Sequence, residues 1–335
     1  MFKNNTIVYQ VLNKVKQKLN HATSYNDLTE AVFIAKSAGR KLVYNNFIFV
    51  IICTITFVLA LIHWSDSNNN TGFQWVSQDG IIVASLIAIG SLSLLIIFGR
   101  NSSVTMLSHD IYQMWGFLDN NIQYSPIENG PVSSMLVHFE QFKRGNYSRK
   151  IIKEYQSTPN VKHPFYFYKF EFVDTELTYR NKTVKTKKVY YYRYGLIFDF
   201  KYHKNIYIIS DGNIPHPLNY SVSSSNFNQK FSLGGIDEHQ VAKFLKPIVV
   251  EAIMKASDQL DNLNIEINDS GMLCISYSHS GLLYQFPKYD LNSADQFLAE
   301  LNQTEPKFPS ISEAIRLYTL ILKYSDNNFT TPSNL

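Results

Sequence analysis

The chain has 335 residues, enough for a membrane segment and one soluble domain of ordinary size. Its two cysteines, Cys53 and Cys274, exclude a disulfide framework and fit a reducing compartment. The first 43 residues carry seven Lys or Arg against two Asp or Glu, whereas residues 101–335 carry 23 of each. The net charge of +4 is therefore a property of the N-terminal part, and the larger C-terminal part is neutral.

Two helices are predicted before the first apolar run. Residues 7–19 place apolar side chains on one helical face. The opposite face carries three lysines, Lys14, Lys16 and Lys18. This amphipathic helix could lie on an anionic inner leaflet or pack on the soluble domain, and both alternatives stay open. Ser24 and Asp27 form a capping-box pattern that predicts a second helix, running to Gly39.

Two apolar runs predict a transmembrane hairpin. Val43–Ile62 contains no ionisable side chain, and its twenty residues at about 1.5 Å each span the ~30 Å hydrocarbon layer. Ile81–Phe98 is a second such run, and neither has the polar stripe of a core helix. Lys and Arg flank the pair but are missing from the loop over residues 63–79. The positive-inside rule therefore predicts a multi-pass protein of the plasma (inner) membrane with both termini in the cytosol.

The composition of these runs also bears on transport and assembly. Neither run contains Asp, Glu, Lys or Arg, which disfavours ion conduction by a monomer. Ala84, Ala88 and Ser91 share one helical face and would let the first helix, or a second copy of the chain, approach closely. A further helix is predicted over Val104–Ile122, either continuous with the second run or separate from it.

An aromatic β-hairpin is the clearest signal in the soluble part. Phe165–Arg180 and Lys185–Tyr202 are rich in aromatic and β-branched residues and are joined by a polar link. In the second run every other residue from Tyr190 to Tyr202 is aromatic or Leu. A period of two over seven positions predicts a strand with one buried face.

The remaining pattern predicts strands grouped apart from helices. Those elements are a short helix over 133–143, a strand over 206–209, a helix over 237–258, a hairpin of 264–267 with 272–278, and helices over 293–301 and 311–324. This order predicts an α+β cytosolic domain in which helices pack on an aromatic-rich antiparallel sheet.

Sequence motifs give no catalytic, cofactor-binding or metal-binding residue. No P-loop, dinucleotide fingerprint, zinc motif or nucleophile elbow is present. The basic residues near the hairpin tip form the candidate binding set, Arg180, Lys182, Lys185, Lys187 and Lys188. Such residues beside aromatics could bind single-stranded nucleic acid, contact anionic lipid, or form a solvated strand edge. The regular alternation favours the edge and disfavours nucleic acid, because it predicts that the aromatic face is buried.

The layout resembles a family of bacterial membrane proteins described as domain of unknown function 3137. The resemblance rests on Tyr194–Phe200, on Phe227–Pro247, and on the hydrophobic positions of 265–267 and 272–275. It covers residues 40–300. The family brings no catalytic motif, so no functional residue is transferred.

These observations predict six segments along the chain. They are N-terminal cytosolic helices (1–42), the first span (43–62), an external loop (63–79), the second span (80–98), the α+β domain (99–325) and a disordered tail (326–335). The leading hypothesis is a non-catalytic, membrane-anchored interaction module, with no cofactor, that binds a partner protein, a second copy or the anionic inner-leaflet surface. The alternatives are a membrane-bound enzyme with a dispersed active site and a structural subunit of an inner-membrane complex.

Overall fold

The computed structural model describes residues 2–70, 78–124, 127, 130–180, 183–278 and 285–325. The predicted combination of helices with an antiparallel sheet is confirmed. The predicted tail over 326–335 and the centre of the predicted external loop lie outside the described residues. Both cysteines are free and buried, as predicted.

The helices of the described residues, in chain order, are α1 (Phe2–Asn20), α2 (Tyr25–Lys36), α3 (Phe47–Asn70), α4 (Gln78–Asp119), α5 (Pro131–Ser134), α6 (Ser225–Lys230), α7 (Glu238–Phe244), α8 (Pro247–Ala256), α9 (Ala294–Leu301) and α10 (Pro309–Ser325). The strands are β1 (Ser148–Gln156), β2 (Phe165–Arg180), β3 (Thr183–Asp199), β4 (Ile206–Ile209), β5 (Ser232–Gly235), β6 (Asp261–Ile267) and β7 (Met272–Ser278). The chain divides into two compact units, Met1–Trp115 with Gln285–Thr304 and Gly116–Tyr284 with Glu305–Leu335.

In the first unit, α1 and α2 pack against each other. The predicted apolar face of α1 is buried through Val8, Leu12, Val15 and Leu19, none of which is more than 7% exposed. Ser24 and Asp27 form the predicted capping box at the start of α2, because the side chain of each accepts the backbone N–H of the other. The apolar face of α1 is therefore covered by protein.

The apolar helices α3 and α4 are each long and apolar enough to cross a membrane. Most of their apolar side chains point outward, and only 11% and 17% of the two apolar windows are buried. The helices approach each other at Gly90, where an added Cβ would lie 2.9 Å from the Phe57 ring and from the Thr56 hydroxyl. Ala84 and Ala88 are exposed, so the small residues chosen from the sequence do not form this contact.

Arg100, in α4 just after its apolar run, contacts the segment that enters α3. Its guanidinium lies 4.7 Å from the centroid of Phe49, at the start of α3, and 5.4 Å from that of Tyr44. The Asn46 amide donates to Asn101 Oδ1 at 2.9 Å. Cation–π and amide contacts therefore fix the segment that enters α3 against α4.

The second unit contains a seven-stranded antiparallel sheet in the order β1-β2-β3-β7-β6-β4-β5. One face of the sheet forms the main core with α8 and α10, and Phe198 stacks on Tyr318 there at a centroid distance of 3.8 Å. Gly116 at the end of α4 leaves space for Phe308, since a Cβ there would lie 2.5 Å from its ring. These contacts bury the central strands on this face.

The other face of the sheet is covered by the segment Gly130–Arg144, which we call the strap. The strap contains α5 and two short 3₁₀ turns, in place of the single short helix predicted over 133–143. Its apolar side chains pack on a smaller cluster of the sheet. The members of this second core are Val132, Phe139, Phe142, Tyr168, Phe170, Phe172, Ile197 and Cys274.

Two further features differ from the sequence-based prediction. The helix predicted over 237–258 is broken into α7 and α8, because Pro247 has no backbone N–H and its ring disfavours a helical residue before it. The edge strands β1 and β5 were not predicted. The other predicted strands and helices are present, with ends that differ by a few residues.

Candidate functional site

The β2–β3 hairpin extends beyond the strands that flank it. Within the described chain, β3 pairs with β7 only over Tyr194–Asp199, and β2 pairs with β1 only as far as Val173. The outer part, Asp174–Arg180 paired with Thr183–Val189, is a two-stranded ribbon. We call this ribbon, together with Tyr190–Tyr192 at its base, the arm; the base lies opposite Glu171–Val173, which β1 still flanks. Seven residues of β2 at about 3.3 Å each give the arm a length of roughly 20 Å.

The tyrosines of β3 differ in exposure along the strand. Tyr194, Leu196 and Phe198 are at most 2% exposed, as the alternation predicts. Tyr190 and Tyr192 follow the same alternation, yet they are 55% and 41% exposed. They lie beyond Tyr194, where the described pairing of β3 with β7 stops. The prediction that the whole aromatic face is buried is therefore correct for the inner half of β3 and wrong for its outer half.

Strand register divides the arm into two chemically different faces. The tyrosine face carries Lys188, Tyr190 and Tyr192, together with Thr175 and Leu177 of β2. Leu177 is 61% exposed. No carboxylate occurs on this face of the arm within the described residues, and the neighbouring Glu171 is largely buried and paired with Lys150 at 3.4 Å.

The opposite, mixed-charge face carries Asp174, Glu176, Lys187, Val189 and Tyr191. Glu176 lies directly opposite Lys187 in the register. Tyr191 stacks on Phe172 at a centroid distance of 5.1 Å, which ties the base of this face to the second core. Charge on this face is therefore partly compensated, whereas charge on the tyrosine face is not.

The structure describes the side chains of only two of the candidate basic residues of the hairpin. Lys187 and Lys188 are exposed. Lys188 Nζ donates to Tyr147 Oη at 2.6 Å and lies 3.9 Å from the centroid of that ring. Arg180 and Lys185 belong to the strands, but their side chains lie outside the described part of the chain, and Lys182 lies outside it altogether.

The three candidate lysines of α1 have different surroundings. Lys14 and Lys16 are exposed. Lys18 instead pairs with Asp27 at 2.8 Å and with Glu30 at 2.7 Å, and these hydrogen bonds raise the pKa of Lys18. Lys18 therefore fastens α1 to α2, while Lys14 and Lys16 are available to solvent.

A buried polar cluster beneath the strap was not predicted from the sequence. Glu266 of β6 is 1% exposed, and its two carboxylate oxygens accept the backbone N–H groups of Glu140 at 2.7 Å and Gln141 at 3.0 Å. Burial raises the pKa of Glu266 to about 7, and the two N–H groups partly oppose this shift. Its position in an alternating strand between Ile265 and Ile267 predicts a solvent-facing side chain, so only the strap accounts for its burial.

A second buried carboxylate holds the other end of the strap. Glu154 of β1 is 1% exposed, and its Oε1 accepts the backbone N–H of Val132 at 3.0 Å. Burial raises the pKa of this carboxyl group. At the C-terminal end of the strap, which Glu266 also holds, Arg144 pairs with Asp211 at 2.7 Å. The strap is thus fastened at both ends by charged groups.

Arg193 and Cys274 complete the cluster on the same face of the sheet. Arg193 is 1% exposed and donates to Asn262 O at 2.8 Å and Ser276 Oγ at 3.1 Å. Burial lowers its pKa to about 10, so it stays charged at neutral pH. Gln141 Nε2 donates to Cys274 Sγ at 2.7 Å and also to the hydroxyl of Tyr168.

The polar groups of this cluster hold the strap on the sheet. Burial raises the pKa of the Cys274 thiol, which keeps it protonated, whereas a nucleophilic cysteine needs a lowered pKa. The cavity beside Glu266 has a volume of about 60 Å³, room for a water or two but not for an organic substrate. Within the described residues no group of His, Cys, Asp and Glu side chains is arranged to hold a metal ion.

A larger open groove of about 420 Å³ lies at one end of strands β1, β2, β3 and β7. Its lining includes Met135 of the strap, Tyr166 of β2 and Met272 of β7, and Asp199 is its acidic member. The described lining of this groove contains no histidine, lysine or second carboxylate beside Asp199.

No protein-family model, no curated protein and no solved structure matches this chain. The resemblance to domain of unknown function 3137 therefore stays a prediction.

Proposed function

We propose that this protein is a multi-pass protein of the inner membrane, in which α3 and α4 form a transmembrane hairpin with both termini in the cytosol. Its cytosolic part is a non-catalytic interaction module that binds a partner protein or the inner-leaflet surface. Support for the anchor comes from the outward-facing apolar side chains of α3 and α4. Support for the orientation comes from the basic residues that flank the two helices but not the loop between them.

The exposure of the arm carries the proposal of an interaction module. A ribbon that extends past its neighbours and keeps Leu177, Tyr190 and Tyr192 in solvent gains little stability from those side chains. Tyrosine is enriched in binding surfaces because its ring buries apolar area while its hydroxyl keeps a hydrogen bond. The exposed aromatic face is thus better suited to contact another surface than to support the fold.

Labelling of single cysteines tests the membrane topology. The substitutions Asn69→Cys, in the predicted external loop, and Thr186→Cys, in the arm, are placed in a chain whose Cys53 and Cys274 are replaced by Ser. We expect a membrane-impermeant maleimide added to intact cells to label the first and to spare the second until the membrane is opened. Labelling of Thr186→Cys in intact cells contradicts the proposed orientation.

A photo-crosslinking amino acid tests the interaction surface. It replaces Tyr190 in the arm or, as a matched control, Tyr202, which is also on β3's alternating face and is 43% exposed beyond the end of the strand. We expect adducts with lipid or protein at position 190 and fewer at position 202. Equal adduct formation at both positions would show that exposure alone, and not a binding surface, determines the crosslinks.

A further inference from the structure

The outer hairpin has an unusual charge pattern. From Leu177 to Tyr192 the sequence contains five basic residues, four tyrosines and no carboxylate. The large C-terminal part of the chain is neutral, with 23 basic and 23 acidic residues over 101–335. Positive charge is therefore concentrated in this stretch of the sequence, and its two basic residues with described side chains, Lys187 and Lys188, are exposed.

The composition of the tyrosine face resembles that of a membrane interface. Leu177 supplies exposed apolar area, Tyr190 and Tyr192 supply rings with polar tips, and Lys188 supplies a cation beside them. Tyrosine prefers the headgroup level of a bilayer, where its ring and hydroxyl meet different environments. Lysines on a thin ribbon extend their charged ends toward anionic headgroups while their methylene groups cover apolar surface.

We propose that the outer arm binds an anionic lipid bilayer, with Leu177 and Tyr190 at the headgroup boundary and Lys187 and Lys188 on lipid phosphates. This inference rests on the proposed function, because it names the partner of the same surface. Lipid is favoured over nucleic acid or an acidic protein because the proposed membrane helices α3 and α4 tether the arm to a bilayer. Tethering raises the effective concentration of a bilayer surface and leaves that of a soluble partner unchanged.

Binding to added vesicles tests the proposal with the full chain. The protein is reconstituted in phosphatidylcholine nanodiscs and carries an environment-sensitive fluorophore on Thr186→Cys, in the chain whose Cys53 and Cys274 are replaced by Ser. We expect vesicles that contain phosphatidylglycerol to shift the emission to shorter wavelength and to float with the nanodiscs. Phosphatidylcholine vesicles should do neither, and added salt should weaken the effect because it screens exposed charge.

Paired charge variants show whether the arm is responsible. Each basic residue near an anionic leaflet contributes roughly a fivefold factor to partitioning, so K187Q/K188Q should lower binding by tenfold or more. The control K243Q/K255Q removes two exposed lysines of α7 and α8 and should leave binding unchanged. A Tyr190→Ala variant should weaken binding without changing its dependence on salt.

Several outcomes overturn the proposal. They are an absent shift with anionic vesicles, an equal shift with phosphatidylcholine, equal losses in the two double variants, or a shift caused only by single-stranded RNA or an acidic peptide. Protein adducts at position 190 with no vesicle binding remove the lipid partner but keep the interaction module. A chain that fails to insert in a bilayer removes the proposed function itself.

Discussion

The two halves of β3 share one sequence pattern and have different surroundings. Along Tyr194–Asp199 the strand lies between β2 and β7, and helices cover its aromatic face. Along Lys187–Tyr192 it pairs with β2 alone within the described chain, and the same face is open to solvent. Alternation therefore tells which side chains share a face, and the neighbouring strands and helices decide whether that face is buried. In the inner half the aromatics stabilise the fold, and in the outer half they are exposed.

The largest contrast between the two halves should appear when a buried ring is removed. Phe198 is 2% exposed and stacks on Tyr318, so Phe198→Ala leaves a cavity in the main core. We expect the free energy of unfolding to fall by about 3–5 kcal/mol. Urea unfolding of the full chain in nanodiscs, followed by near-ultraviolet circular dichroism, measures it. A loss below about 1 kcal/mol would mean that the inner half is not a packed core.

Protonation of Glu266 tests the other face of the inner half. Its pKa is about 7 in the folded chain against an ordinary value of 4.5, so the folded chain binds the proton more tightly. The free energy of unfolding should therefore be highest below pH 4.5 and fall as the pH rises through 7, by at most about 3 kcal/mol. Glu154, whose pKa is also raised, contributes in the same direction.

Unfolding midpoints measured across this pH range in the wild type and in Glu266→Gln check the assignment. The variant should show a flatter pH dependence, and the exposed-site control Glu251→Gln on α8 should behave as the wild type. An unchanged slope in Glu266→Gln would assign the dependence to other groups.

Gly195 lies in the inner half, one residue from the start of the pairing with β7, and gives the third test. A Cβ at this position would lie 2.3 Å from the Tyr168 hydroxyl and 2.7 Å from the Ile275 carbonyl oxygen. Gly195→Ala must displace Tyr168 from Gln141 and Cys274, and we expect a loss of about 1–3 kcal/mol. Thermal unfolding measures it, and Thr186→Ala in the arm serves as the control. Equal stability of both variants would contradict the close approach.

The smallest effect is expected in the arm. Tyr190→Ala removes a side chain that is 55% exposed, so the free energy of unfolding should change by less than about 0.5 kcal/mol. The same substitution should reduce vesicle binding, which makes stability and binding separable at one residue. Loss of stability comparable to that of Phe198→Ala would show that the arm is covered in the folded protein.

Hairpins and capped helices were predictable because their signals are local. The alternation of β3, the turn between β6 and β7, and the Ser24–Asp27 capping box all depend on residues close in sequence. The break between α7 and α8 was missed because the helical period of apolar residues continues across the break. Pro247 was the sequence signal for this break. The edge strand β1 was missed because four of its nine residues are charged and its first three residues are exposed.

The candidate sites were predictable only in part. The basic residues near the hairpin tip could be found from sequence, but the exposure of Tyr190 could not, because it depends on where β7 stops pairing with β3. The buried position of Glu266 depends on the strap, which contacts it across more than a hundred residues of chain. Contacts of that range leave no periodic signal in the sequence.

The rate at which the Cys274 thiol is modified can report how often the strap opens. Its sulfur lies under the strap and accepts from Gln141, so a thiol reagent can reach it only after the strap lifts or the sheet opens. When closing is faster than modification, the modification rate is proportional to the equilibrium fraction of the open form. The natural sequence thus contains a reporter of local opening, which distinguishes a strap that lifts independently from one that opens only with the whole domain.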